Sequence, residues 1–224
     1  MLQKLTTYYF KEKNMNAIYY PDVPFKSLYI PEILKEIYID KVFSRLKPCN
    51  IIMDVGANIG LTAMYLKDFG KTVYAIEPEL RHFEALLQNA ITLGENGRDN
   101  IEPFHGAISD YTGTEKLFIN EENRTMNSLV WQHGISVKVH CWTFAQFMTK
   151  NRIEDVDFVK LDVEGAEEKI LMGDGFTGVC KCIKSLLVEF HDRSRVDFLL
   201  DHMFHLGYKI ETVQANALLY WFER

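Results

Sequence analysis

Asn50-Ile-Ile-Met-Asp-Val-Gly-Ala-Asn-Ile-Gly60 is the stretch that decides the fold. It opens as a short apolar run of strand length, Asn50 to Val55. It then turns on Gly56 and Gly60 into a helical stretch, Leu61 to Phe69. Gly70 closes that helix, and Lys71-Thr-Val-Tyr-Ala-Ile76 reads as a second strand, followed by a helix over Pro78 to Leu93. The alternation continues. A third strand runs from Asn100 to Ile108, and its Pro103 predicts an edge position. Val156 to Leu161 is a fourth core strand before a helix over Gly165 to Met172. Ile183 to Phe190 is a fifth, before a helix over Arg195 to Leu206. Two last strands, Tyr208 to Val213 and Leu218 to Phe222, are joined by a tight connection. Strands alternating with helices predict an α/β fold, a mostly parallel sheet covered on both faces.

Short extra strands at Leu117–Ile119 and Ser136–Val139 flank a polar loop over 120–136 and interrupt the alternation. Phe144 to Lys150 reads as a short helix. Ahead of the sheet, Glu32 to Leu46 carries Ile33, Leu34, Ile37, Tyr38, Val42, Phe43 and Leu46 at helical spacing, with Pro31 at its start and Pro48 past its end. Residues 1–30 read as irregular, punctuated by Pro21 and Pro24. The division that follows is an N-terminal cap segment and helix over 1–48 and a main domain over 49–224.

The chain has 224 residues, 47% of them apolar and 25% charged, which excludes a wholly disordered chain and suits one domain with an extension. Its net charge of −6, with 25 basic residues scattered among 31 acidic ones, gives no basic block for counterion release, so no nucleic-acid partner is expected. No run approaches the roughly 18 apolar residues of a membrane helix. The first residues lack an apolar signal core. The four cysteines form no CxxC pair and read as reduced thiols. Together these predict a cytoplasmic protein.

In doubly wound sheets ligands gather outside the carboxyl ends of the strands. That edge carries Asp54 and the glycine turn, Glu77, Ser109 and Asp110, Asp162 and Glu164, then Glu189 and His191. Gly56 would let backbone approach a ligand, and Gly60 would let the helix pack closely on the sheet. Glu77 follows Asp54 by 23 residues, near the offset at which an acid meets the ribose hydroxyls of a nucleoside cofactor. The glycine pattern departs from the dinucleotide fingerprint. An acidic rim repels a pyrophosphate and attracts the ammonium and sulfonium of S-adenosylmethionine.

Four blocks in order, Asp54-Val-Gly-Ala-Asn-Ile-Gly60, Ala75-Ile-Glu-Pro78, Gly106-Ala-Ile-Ser-Asp110 with Gly113, and Val159-Lys-Leu-Asp-Val-Glu-Gly-Ala-Glu167, resemble the FkbM-type S-adenosylmethionine-dependent methyltransferases. The resemblance runs from about Glu32 to the C-terminus. It implies a class I, Rossmann-like fold: a seven-stranded, mostly parallel sheet with a C-terminal antiparallel hairpin. It also implies methyl transfer, usually to oxygen of a sugar, glycan or natural-product hydroxyl.

The expected cofactor contacts are Asp54, Gly56, Asn58, Gly60, Glu77, Pro78, Ala107, Ile108, Ser109 and Asp162. Asp54 is expected at the methionine end, Glu77 at the ribose, and Ala107 to Ser109 beside the adenine. Arg124, Asn127 and Ser128, in the polar loop, are expected to line the acceptor site. For chemistry the candidates are Asp162 and Glu164 as acceptor-positioning and base pair, with His191 as alternative base and Glu189 as its orienting partner. Glu164 would share a side with Asp162 if the strand continued. Hard oxygens of this kind also suit Mg²⁺, an alternative that the reading does not favour. The other histidines show no HExxH-type spacing. Two rival functions remain: a cofactor-binding module without catalysis, and an NAD-dependent oxidoreductase, which the altered glycines disfavour.

Overall fold

The computed structural model describes residues 6–10, 15–19, 30–94, 100–120, 126–132 and 134–224. Strands β1 (Thr6–Phe10) and β2 (Met15–Tyr19) pair antiparallel, so the first residues are not irregular throughout. Their Thr, Tyr and Phe content has the strand preference that the prolines obscured.

The expected cap helix is shorter than its apolar pattern. Helix α1 (Ile30–Lys35) passes into a π-helical turn at Glu36–Asp40, which Lys41 ends in the left-handed region at φ 55°. Ile37, Val42 and Phe43 are still buried, so the helical spacing reflects a continuous buried face that a turn carries past residue 40.

The main domain follows in order. Strand β3 (Cys49–Val55) leads to α2 (Leu61–Leu66), β4 (Gly70–Glu77), α3 (Leu80–Gly94) and β5 (Ile101–His105). Next come β6 (Ala107–Ile108), β7 (Gly113–Ile119), β8 (Ile135–Trp142) and α4 (Phe144–Lys150). Then follow β9 (Val156–Leu161), α5 (Glu167–Met172), α6 (Asp174–Thr177) and β10 (Ile183–Glu189). Helix α7 (Val196–His205), β11 (Lys209–Gln214) and β12 (Leu219–Glu223) complete the chain.

Seven strands form one sheet in the order β11-β12-β10-β9-β3-β4-β5. The five from β5 to β10 are parallel, and β12 enters antiparallel between β10 and β11. This is the architecture expected from the sequence. The sheet starts at β3, builds outward through β4 to β5, then returns to β9 on the other side. The crevice above β3 and β9 is therefore the switch point of the sheet.

Alternation along the strands separates two apolar layers. Met53, Val55, Val159, Leu161, Leu186 and Val188 face one layer. Ile52, Phe158, Leu187 and Trp221 face the other, against Ile37, Phe43 and Leu66. Asp54, Lys160 and Glu189 continue this second set by two residues each. They place a row of charges at the carboxyl ends of an otherwise apolar face.

The third strand ends sooner than expected. At Gly106 a Cβ would lie 2.5 Å from the Trp142 ring and 2.7 Å from the His140 carbonyl, so only glycine turns the chain there. Ala107–Ile108 then leaves the main sheet and joins β7 and β8 in a separate three-stranded sheet. Pro103 does lie on an outer strand, β5. No helix among the described residues is long and apolar enough to cross a membrane.

Candidate functional site

The loop between β3 and α2 is fixed by backbone and by two neighbours. Gly56 and Ala57 both donate to the Ile76 carbonyl at 3.0 Å. Gly56 has φ +81°, and a Cβ there would lie 1.8 Å from the Asp162 carbonyl oxygen. The glycine is thus required by the adjoining turn after β9, a constraint the ligand-approach argument did not foresee. Gly60, at φ +88°, would drive a Cβ to 2.6 Å from Leu86 Cδ1 of α3, so the close approach at this glycine is to a neighbouring helix and not to the sheet as expected. Asn58 also takes a positive φ, and its N–H donates to Glu77 Oε2 at 2.8 Å.

A cavity of about 420 Å³ opens over this loop. Gly56, Ala57, Asn58, Glu77, Pro78, Ala107 and Ile108 line it. Glu36, Asn127, Lys160, Asp162, Glu164, Glu189 and His191 also line it. Asp54 and Gly60 do not. Asp54 is fully buried beneath the loop. Ser109 is buried too and turns its hydroxyl to Glu115 and, at 3.2 Å, to Asp110. Ser128 stays out of the cavity: its Oγ donates to the Glu164 carbonyl at 2.6 Å and accepts from Val130 and Trp131 N–H. Arg124 lies outside the described residues.

Two centres of charge result. At the first, Glu77 accepts from Asn58 N–H and Glu79 N–H, each at 2.8 Å. Burial raises its pKa to about 8, against the pull of those two donors. Each carboxyl oxygen keeps capacity for a further partner.

At the second, Lys160 Nζ donates to Asp162 Oδ2 at 2.9 Å and to the Gly56 carbonyl at 3.1 Å, and stands 3.8 Å from Asp54. Burial works against the ammonium, but Asp162 and Asp54 outweigh it and raise its pKa. Asp54 is pushed up to about 6 by burial, with Lys160 opposing. Asp162 is lowered, because Lys160 and His191 overcome its desolvation.

His191 Nε2 lies 3.4 Å from Glu164 Oε2 and 3.7 Å from Asp162 Oδ1. Burial disfavours its cation, but the hydrogen bond to Glu167 and the charge of Asp162 prevail and raise its pKa to about 10. Glu164 and Glu189 are each raised to about 8, by burial first and then by Asp162. Glu36 is raised by the same two causes. At neutral pH this is an imidazolium among acids, one of which, Asp162, is ionised. Asp162, Glu164 and His191 offer ligand-type atoms within 4.8 Å of one another, a group that could hold a metal ion.

Two expectations need correction. Glu189 is not the partner of the His191 Nδ1; that atom meets Glu167 at 2.8 Å. The strand also does not continue through Glu164: β9 ends at Leu161, and Glu164 reaches the cavity because its φ of +51° folds the turn back.

Sequence reasoning gave no role to Lys160, Glu167 or Glu36. Lys160 carried a signal, since a cation inside the apolar run Val156–Leu161 must find buried partners. Glu167 looks like any acid in a first helical turn. Glu36 looks like a solvated position of the cap helix.

A family model described as the methyltransferase FkbM domain matches residues 54–210. The chain is 24% identical over 233 residues to the AMB antimetabolite synthetase AmbE of Pseudomonas aeruginosa, covering 84% of this chain and 11% of that protein. It is 23% identical over 197 residues to the 31-O-demethyl-FK506 methyltransferase FkbM of Streptomyces tacrolimicus, covering 71% of this chain and 74% of that one. A crystal structure of a methyltransferase FkbM from Methylobacillus flagellatus superposes with a TM-score of 0.51 at 18% identity, covering 76% of this chain and 42% of that one. That likeness is one of fold, the class I methyltransferase fold. The chain thus spans about a tenth of AmbE and less than half of the crystallised protein.

Proposed function

The chain belongs to the FkbM methyltransferase family, and from that premise we propose that it methylates a hydroxyl of a sugar, glycan or natural-product-like small molecule, with S-adenosylmethionine as donor. The observation that carries this reading is the single cavity joining Glu77 and the Gly56 loop to Asp162, Glu164 and His191. Of the segment ahead of residue 49, the stretch Glu32 to Phe43 acts in it as a cap on the domain that follows, because Glu36 lines the same cavity.

The donor set suits the cofactor. Glu77 retains acceptor capacity for ribose hydroxyls, and Pro78, Ala107 and Ile108 offer an apolar border for a purine. The acids beyond them suit a positively charged methionine end. Asp54 contributes there through Lys160, whose charge it shares with Asp162. S-adenosylmethionine, when bound, supplies the methyl group as an electrophile.

The remaining work falls to this chain. Asp162, ionised and anchored by Lys160, accepts a hydrogen bond from the acceptor and orients it. Glu164, raised to about 8, takes the hydroxyl proton as the oxygen becomes nucleophilic. The imidazolium of His191 holds the neighbouring carboxylates in place, and His191 becomes a base only at alkaline pH. Asn127 and Glu36 border the acceptor space. Oxygen as the acceptor atom is supported by the Streptomyces tacrolimicus relative, whose name describes an O-demethyl acceptor.

Calorimetry with S-adenosylmethionine, followed by a screen of hydroxylated acceptors for S-adenosylhomocysteine formation, tests the reading. Binding without turnover on any acceptor favours a cofactor-binding module. An EDTA arm that removes activity, with recovery on adding Mg²⁺, replaces the simple base with a metal site.

A further inference from the structure

Three hydrogen-bond donors around the transfer site converge on one buried oxygen. Glu167, the first residue of α5, is 2% exposed. Its Oε1 accepts from Val163 N–H at 3.3 Å and from Gly165 N–H at 3.1 Å, and it meets His191 Nδ1 at 2.8 Å. Glu164 and Gly165 are consecutive positive-φ residues, at +51° and +99°, a conformation costly for the glutamate. The peptide donors on either side of Glu164 are thus tied to one carboxylate, which stabilises the turn. Gly165 also has no room for a side chain, since a Cβ would meet the Trp131 indole at 2.8 Å.

The same oxygen sets the imidazole. Glu167 Oε1 already accepts from two peptide N–H groups, so it is the acceptor toward Nδ1, which carries the proton, and Nε2 faces the other way. There it meets Glu164 at 3.4 Å and Asp162 at 3.7 Å. The Trp131 ring stands edge-on to His191, with centroids 6.0 Å apart. A carboxylate that fixes one ring nitrogen and presents the other is a recurring way of orienting functional histidines.

We propose that Glu167 is the positioning residue of the transfer site: one buried oxygen fixes both the ring of His191 and the turn that carries Glu164, so both groups face the acceptor in a single geometry. This rests on the methyltransferase reading of the cavity and adds to it a residue that touches neither substrate nor cofactor. The groups facing His191 are Glu167, Asp162 and Glu164. Those facing Glu164 are Asp162, His191, Glu189 and Glu167. Replacing the Glu167 carboxylate weakens the hydrogen bond that most favours the imidazolium.

The test is a pH titration of His191 by ¹⁵N-imidazole NMR on the full chain, its signals assigned with His191→Gln. Glu167→Gln keeps an acceptor oxygen for the turn but removes the charge. Ser128→Ala loosens the same turn from the Glu164 carbonyl side without touching His191. The wild type is expected to hold its Nδ1 proton and to titrate far above the ordinary histidine value. Glu167→Gln is expected to lower that midpoint by at least about one pH unit, a tenfold loss of proton affinity. Ser128→Ala is expected to leave it unmoved. An unchanged titration in Glu167→Gln overturns the proposal. So does an equal shift in both variants. Should Glu167→Gln not fold, a wild-type ring that titrates near its ordinary value with the proton on Nε2 overturns it alone. Calorimetry with S-adenosylhomocysteine on the same samples judges the cofactor reading separately, because absent binding refutes that reading whatever His191 does.

Discussion

Gly56 and Asp162 stand so close that a side chain on the glycine would begin 1.8 Å from the aspartate's carbonyl oxygen. The loop that borders the proposed cofactor and the turn that bears the proposed base are therefore one rigid unit. Gly56→Ala adds a methyl group where backbone already lies, at a φ of +81°. The left-handed conformation alone costs about 1–2 kcal/mol, and the displaced turn adds to it. We expect a lower melting temperature and at least about tenfold weaker S-adenosylmethionine binding. Thermal unfolding and calorimetry measure both, and wild-type values in the two assays would contradict the coupling.

Lys160 supplies the cation that faces the fully buried Asp54, at 3.8 Å. Lys160→Met leaves that carboxylate buried among apolar groups and should cost about 3–5 kcal/mol, the scale for breaking a buried pair. The double variant Lys160→Met/Asp54→Asn should recover part of the loss. Chemical denaturation of the four proteins gives the coupling, and additive losses would refute it.

Stability should carry the sign of Asp54. Its folded pKa of about 6 lies above the ordinary value of 3.8, so between these the native state binds more protons than the unfolded one. This group's contribution is fully present below the unfolded value and is lost as pH rises through about 6. In Asp54→Asn the stability profile should lose that decline, which denaturant midpoints measured from pH 4 to pH 8 would detect. A profile parallel to wild type contradicts the assignment.

Glu77→Gln should weaken S-adenosylmethionine binding by about 1–3 kcal/mol, roughly 5- to 150-fold, the value of hydrogen bonds to a charged group. The amide keeps one oxygen for a peptide N–H but cannot serve both donors, from Asn58 and Glu79, as the carboxylate does. Calorimetry at pH 9, above the raised pKa of this group, gives the largest contrast. Equal affinities there would remove Glu77 from the cofactor site.

Much of this was legible in the sequence, for reasons that differ by residue. The strands β3, β4, β9 and β10 are covered on both faces, so their apolar runs stand out without knowledge of their neighbours. Glu77 and Asp162 were legible because they follow such runs directly. The end of β5 was not, because Gly106 is required by a contact with Trp142 that is 36 residues away in the chain. Glu167 was hidden for the opposite reason: an acid at a helix start is ordinary, and only the folded position of His191 makes it a partner. Asp54 was legible as a charge at a strand end, but its depth beneath Lys160 depends on how β3 and β9 pair in register.

The central claim is that Glu164 removes a proton from an acceptor hydroxyl in this cavity. Single-turnover transfer of a deuterated methyl group from S-adenosylmethionine to an acceptor found by the screen, followed by mass spectrometry from pH 6 to pH 10, tests it most directly. A general base must be ionised to act, and burial with Asp162 raises Glu164 to about 8, so the wild-type rate should climb through about that pH and then level. Glu164→Gln should bind the cofactor within about threefold of wild type and lose at least about 100-fold in rate, the lower end of what a general base contributes. A Glu164→Gln protein that transfers the labelled methyl at the wild-type rate with the same pH profile would contradict the account.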